Sequence, residues 1–170
     1  MKKILSILLC LILIFSFAAC AKKQPVPEYP EEVTMIENML DSRPMSQFQV
    51  VHAFTVLGYS EKQIGHILDQ ANVNWTAQAL RAAQAALDEQ PMSKSTLTSI
   101  LCDAQYTGEQ INYAISAINV RWEEQCLYVA MDYISQGYSK DKVMEMLTND
   151  GFTLTEIAYV NAQHYQLVEG

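Results

Sequence analysis

The side chains that could perform chemistry are few and far apart along the chain. No metal-ligand spacing relates His52, His66 and His164 to one another or to the cysteines. The sequence also contains no nucleophile elbow, phosphate-binding loop, CxxC motif or Ser-His-Asp order. We therefore predict that the protein is not an enzyme and uses no metal or other cofactor.

The remaining reactive side chains have structural explanations. Glu123 and Glu124 open a predicted helix, where carboxylates are favoured by the positive end of the helix dipole, and this explains the pair better than a general-acid role. Cys102 and Cys126 form an even pair in a predicted oxidising location. Two buried thiols are favoured over a disulfide between them.

The N-terminus has the pattern of an export signal. Lys2 and Lys3 precede the uncharged stretch 4–19, which is shorter than the roughly 20 residues of a membrane-spanning helix. The sequence Phe17-Ala18-Ala19-Cys20 resembles a bacterial lipobox, which implies cleavage before Cys20 and attachment of lipid to its thiol. Residues 1–19 are thus predicted to be a lipoprotein signal peptide. The alternatives are an ordinary signal peptide with a chance cysteine, or an uncleaved anchor.

The residues after this signal predict a short tether. Residues 20–27 comprise Cys20 and a linker whose last seven residues reach at most about 25 Å when extended. Lys22 and Lys23 either contact anionic headgroups or remain solvated. We therefore expect a protein that contacts the bacterial cell membrane through Cys20 and lies close to its outer, extracellular face.

A repeat organises the rest of the chain. The segment from Tyr59 to Trp75 returns 47 residues later, from Tyr106 to Trp122, with six identical positions. A third, less similar copy begins at Phe152. Self-similarity at a period of about 20–50 residues is typical of repeat architectures.

Each copy opens with the signature of a helix N-terminus. A hydroxyl residue is followed three positions later by Gln or Glu, which is a capping box. The pairs are Ser60 with Gln63, Thr107 with Gln110, and Thr153 with Glu156. An aromatic residue before each cap and an isoleucine after it form a hydrophobic staple. These pairs are Tyr59 with Ile64, Tyr106 with Ile111, and Phe152 with Ile157.

The repeat predicts an all-α fold of three tandem three-helix units that contain helix-turn-helix-like pairs, at 28–74, 75–121 and 122–168. The first helices are expected at 30–42, 76–89 and 123–136. The second helices are expected at 47–57, 94–104 and 140–149, with caps Ser46, Ser93 and Ser139 and staple residues Met45, Met92 and Tyr138. The third helices follow the capping boxes. Gly58 and Gly151 are expected in left-handed turns, and Gln105 occupies that place in the middle copy.

The last helix departs from the repeat. His164 replaces Ala71 and Ile118 of the earlier copies, and Val168 takes the position of tryptophan. A terminal repeat has no neighbour beyond it, so a more polar outer face is expected there.

Two sets of repeated aromatic positions could pack or bind. Trp75 and Trp122 recur where one unit meets the next, which favours packing over a role as surface anchors. The position held by His66, Tyr113 and Tyr159 lies away from the buried isoleucine of each third helix. Packing is favoured over contact with a partner at this position, and partner contact is the alternative.

The charge balance excludes one class of partner. From Glu28 onward the chain carries seven Lys and Arg against nineteen Asp and Glu, a net charge of −12. Such a surface repels phosphate backbones, so we predict no nucleic-acid binding despite the helix-turn-helix shape. It could instead steer a basic protein.

The lipobox, short linker and repeated units resemble the Ltp-like host cell surface-exposed lipoproteins. The matching segments are Gly58 to Leu80, Tyr106 to Leu127 and Gly151 to Tyr159. The resemblance implies a prophage-encoded lipoprotein that causes superinfection exclusion. Such a protein blocks phage DNA injection, with a phage tape-measure or other injection protein as partner. The other expectation is a housekeeping surface lipoprotein that binds an envelope component or acts as a scaffold.

Overall fold

The computed structural model describes residues 28–165. The predicted signal peptide at 1–19, Cys20 with the linker 20–27, and Val168 lie outside the described residues. Nine α-helices and a short π-helix occupy the described part, which has no strand, so the all-α prediction is confirmed. Their bounds are α1 Pro30–Ser42, α2 Gln47–Val56, α3 Glu61–Ala71, α4 Trp75–Glu89, α5 Lys94–Asp103, α6 Gly108–Ala117, α7 Trp122–Ser135, α8 Lys140–Asn149, α9 Leu154–Val160 and the π-helix Asn161–Tyr165.

Three separate hydrophobic clusters form the core, one for each successive set of three helices. The first is built around Ile36, Val50 and Phe54, with Ile64 and Ile67 from α3. The second and third clusters draw on the corresponding helices. Buried members of the second cluster include Ala79, Ala83, Leu97, Leu101, Ile111 and Ala114. Buried members of the third include Cys126, Ala130, Val143, Leu147 and Val160. We call α1–α3, α4–α6 and α7–α9 the first, second and third units. The exact boundaries at 74/75 and 121/122 remain predictions.

Capping explains why the third helix of each unit begins where it does. Ser60, Thr107 and Thr153 each accept a hydrogen bond from the backbone N–H three residues later, and all three predicted capping boxes are present. The aromatic residues before these caps pack into or against the clusters. Tyr106 and Phe152 are buried, whereas Tyr59 is half-buried and donates to Glu32 Oε1 at 3.0 Å.

Each junction between units is marked by a tryptophan. Trp75 is the first residue of α4, yet its side chain packs against the cluster of the first unit. Trp122 is the first residue of α7 and packs against the cluster of the second unit. Both side chains are half-buried. Asn74 caps α4 by accepting from the backbone N–H of Ala77 at 2.9 Å, while Arg121 makes no such cap.

Two predictions about the third unit are wrong. Tyr138 was expected to be a staple residue, but its side chain is 43% exposed and its ring lies edge-on to Tyr133, with ring centroids 6.2 Å apart. Ser139 precedes α8 without a side-chain capping hydrogen bond. The position three residues after Ser139 is Lys142, which cannot return a capping-box hydrogen bond and pairs with Glu145 instead.

The cysteines also differ from expectation. Both are free, and Cys126 is buried as predicted, where desolvation raises the pKa of its thiol to about 12. Cys102 is exposed, so the prediction of two buried thiols is wrong. Leu97 and Leu101 form the buried line of α5, and Cys102 lies about 100° around the helix from Leu101.

Candidate functional site

A concave feature lies at the second junction in the described part of the chain. It is a cleft of about 510 Å³ between the second and third units. The turn before α5, the start of α5, the outer side of α7 and the turn between α8 and α9 form its walls. Its lining residues are Gln90, Pro91, Met92, Ser93, Thr96, Val129, Asp132, Tyr133, Asp150 and Phe152.

Hydrogen bonds between the units hold the cleft in place. The hydroxyl groups of Ser93 and Thr96 both donate to the backbone carbonyl of Asp150, the latter at 3.1 Å. Ser93 is only 1% exposed, and its Oγ also accepts from the backbone N–H of Thr96 at 3.1 Å. The backbone N–H of Met92 donates to Gln125 Oε1 at 3.4 Å. The turn of the third unit is thereby fixed against the N-terminus of α5.

A glycine allows this close approach. Gly151 has φ +84°, and a Cβ added there would lie 2.8 Å from Ser95 Cβ. Its counterpart Gly58 in the first unit also has a positive φ, of +91°, but nothing lies within 4 Å of an added Cβ. Gly151 is therefore needed for its backbone conformation and for its small volume, whereas Gly58 is needed for conformation alone.

The cleft carries negative charge beside apolar surface. Tyr133 donates its hydroxyl proton to Asp150 Oδ2 at 2.7 Å, and this hydrogen bond, with smaller contributions from desolvation and the negative charge of Asp150, raises the pKa of Tyr133 to about 12. Asp132 Oδ2 accepts from the side chain of Gln136 at 2.8 Å. Two carboxylates therefore line a cleft whose other walls include Val129 and Phe152.

This arrangement is suited to binding a basic side chain. Lys and Arg present a charged head group on an apolar stem, which matches carboxylates beside Val129 and Phe152. The Ser93 hydroxyl donates to a backbone carbonyl, so it is not paired with a general base. Within residues 28–165, no group of His, Cys, Asp and Glu side chains could hold a metal ion.

The predicted aromatic position on the third helices does not form one site. His66 on α3 and Tyr159 on α9 are half-buried, whereas Tyr113 on α6 is 49% exposed. No hydrogen bond or ring contact is found among the three in the described structure. Packing and partner contact remain open for His66 and Tyr159, while Tyr113 is accessible to a partner. The side chain of His164 lies outside the described part of the structure.

Sequence reasoning missed the cleft, although a comparison of the copies contains a signal for it. Tyr133 corresponds to Ala86 and Met39 in the other units, and Asp150 corresponds to Ala104 and Leu57. The third copy thus changes apolar residues to polar ones at positions that line the cleft. Such a change in a single copy of a repeat indicates a local role.

A second surface is the outer side of α2 in the first unit. Phe48 and Val56 are 56% and 72% exposed, and Leu57, just past the end of the helix, is 58% exposed. The corresponding residues at the first two of these positions are polar in the other units: Ser95 and Asp103, then Asp141 and Asn149. The ring of Phe48 stacks against His52 with centroids 6.5 Å apart.

The middle of the chain matches a known protein family. Residues 74–118 match the family of host cell surface-exposed lipoproteins. The Ltp match begins at the Asn74 cap and ends just after α6, so it spans one set of three helices. It confirms the resemblance to the Ltp family and supports a surface-exposed lipoprotein. No curated protein and no solved structure matches the chain significantly. No helix within residues 28–165 has the length and apolar character of a membrane span.

Proposed function

We propose that the protein is anchored through Cys20 to the outer face of a bacterial membrane, where it binds an injection protein of an incoming phage and blocks DNA entry. The match of residues 74–118 carries this proposal, because the matched family is described as host cell surface-exposed lipoproteins. The lipobox-like sequence before Cys20 supports the anchor.

The acidic cleft is the proposed contact site for the phage protein. It contains the carboxylates of Asp132 and Asp150 and belongs to a domain whose net charge from Glu28 onward is −12. A basic segment of a tape-measure or similar injection protein would be attracted at long range and then held by these carboxylates. Exposed charges are screened over about 8–10 Å at physiological salt, so the binding should weaken as salt increases.

A phage challenge tests the proposal. The gene is expressed in a sensitive host, and adsorption and DNA entry are measured separately for several phages. We expect adsorption to be unchanged and DNA entry to be blocked. The Cys20→Ala variant should protect less, because the protein loses its concentration at the membrane.

Matched charge variants test the cleft. The double variant Asp132→Asn, Asp150→Asn should lose protection, and its amide oxygen at position 150 can still accept from Tyr133. The control is Asp41→Asn with Asp69→Asn, which removes the same charge from exposed positions in the first unit and should keep protection. Equal DNA entry with and without the wild-type protein would favour the housekeeping lipoprotein. Equal losses in both double variants would place the contact outside the cleft.

A further inference from the structure

The helix α2 carries large apolar side chains on two opposite sides, although only one side is covered. Val50 and Phe54 are fully buried in the first cluster. Phe48, His52 and Val56 follow one another at spacings of four residues, so they lie along the opposite side of the helix. This exposed side extends over about two helical turns, or roughly 12 Å. Two large apolar side chains, Phe48 and Val56, are thus exposed on this side, with the polar His52 between them.

The neighbouring unit does not supply this cover. In the second unit, the residue equivalent to Phe48 is Ser95, and Gly151 of the third unit lies against it. Phe48 itself remains 56% exposed, so the second unit does not cover it in the same way. The first unit therefore exposes an apolar side chain at Phe48. The second unit contacts its neighbour at the equivalent position, Ser95.

The charge distribution around α2 selects the kind of partner. No Asp or Glu occurs between Asp41 and Glu61, a stretch that includes Arg43. A basic phage segment would be drawn to carboxylates, which this side of the helix lacks. A second copy of the chain would bring another net charge of −12 close to the first, and the two would repel each other.

We infer that the exposed side of α2, namely Phe48 and Val56, lies in the interfacial region of the lipid bilayer. This inference rests on the proposed anchor at Cys20. The helix α1 begins at Pro30, ten residues after Cys20, and ten extended residues reach at most about 35 Å. The start of the first unit thus stays within about 35 Å of the lipidated cysteine. Apolar helices that lie flat in the interface insert aromatic and aliphatic side chains while their polar residues stay in water.

A tryptophan placed on this surface reports its contact with lipid. The full chain carrying Val56→Trp is purified from membranes and reconstituted in phosphatidylcholine vesicles, with or without bromine on the acyl chains, since bromine quenches nearby tryptophans. The control is Leu154→Trp, because Leu154 is an 82% exposed apolar residue in the third unit. The wild-type chain gives the background from Trp75 and Trp122. Circular dichroism checks that both variants keep their helices.

We expect brominated vesicles to quench most of the emission added by Val56→Trp and little of that added by Leu154→Trp. Adding Phe48→Ser to Val56→Trp should reduce the quenching. A chain that floats with vesicles yet shows no difference between the two tryptophans overturns the inference and leaves the anchor in place. A chain that fails to float overturns both. Cross-linking of two chains through position 56 without quenching would instead show that a second copy covers the surface.

Discussion

The two junctions between units share a tryptophan but differ in the surfaces beside it. At the first junction, Trp75 packs on the first cluster, and the outer side of α2 remains exposed with Phe48 on it. At the second junction, Trp122 packs in the same way, and Ser93 and Thr96 also bind the backbone of Asp150. A repeat can therefore keep one shared packing contact while each junction acquires its own surface, one apolar and one acidic.

The largest expected effect tests what the junctions share. Trp75→Ala and Trp122→Ala should each lower the free energy of unfolding by about 2–4 kcal/mol, somewhat less than for a fully buried aromatic residue, because both side chains are half-buried. Chemical denaturation of the two variants measures this. A loss below about 1 kcal/mol for either would assign that tryptophan to the surface.

The second prediction separates the junctions at their glycines. Gly151→Ala should cost about 2–3 kcal/mol, because it combines a positive φ with a Cβ that would overlap Ser95. Gly58→Ala should lower the free energy of unfolding by only about 1 kcal/mol, because the added Cβ strains the backbone but contacts no neighbouring atom. Denaturation of the two variants side by side gives the comparison. Equal losses would mean that the turn of the third unit is not held against α5.

The third prediction concerns the serines before the second helix of each unit. Ser93→Ala should cost about 1–2 kcal/mol, since it removes both a cap and a hydrogen bond to Asp150. Ser46→Ala removes a cap alone and should cost about 1 kcal/mol. Ser139→Ala should change stability by less than about 0.5 kcal/mol, because its side chain forms no cap. A different rank order in thermal or chemical unfolding would contradict these hydrogen bonds.

The smallest effect is a pH dependence at the second junction. The pKa of Tyr133 is raised from its ordinary value of 10.0 to about 12 by its hydrogen bond to Asp150. The stabilisation of the folded protein by this hydrogen bond is therefore complete below pH 10 and is lost as the pH rises towards 12. Stability measured across this window should fall less steeply in Tyr133→Phe than in the wild type. A tyrosinate titration in which all tyrosines ionise near pH 10 would contradict the buried contacts of both Tyr133 and Tyr106.

The helices could be predicted from the sequence because the signals that mark their starts are local. A capping box is contained in four residues, so Ser60, Thr107 and Thr153 marked three helix starts correctly. The cleft was not predictable in this way, because Asp150 meets Ser93 only after the third unit has packed on the second. Tyr138 failed for a similar reason, since its ring contacts Tyr133 of the preceding helix rather than the core.

The separation of the core into three clusters has a consequence for the order of folding. Each cluster draws almost entirely on one continuous set of three helices. Contacts between residues that are close in sequence form quickly, because little chain entropy is lost in bringing them together. The first unit can therefore fold before synthesis and export of the third unit are complete. Trp75 and its counterpart Trp122 must wait, each until the helix that it begins lies beside the preceding unit. The hydrogen bonds from Ser93 and Thr96 to Asp150 likewise form only when the third unit packs on the second.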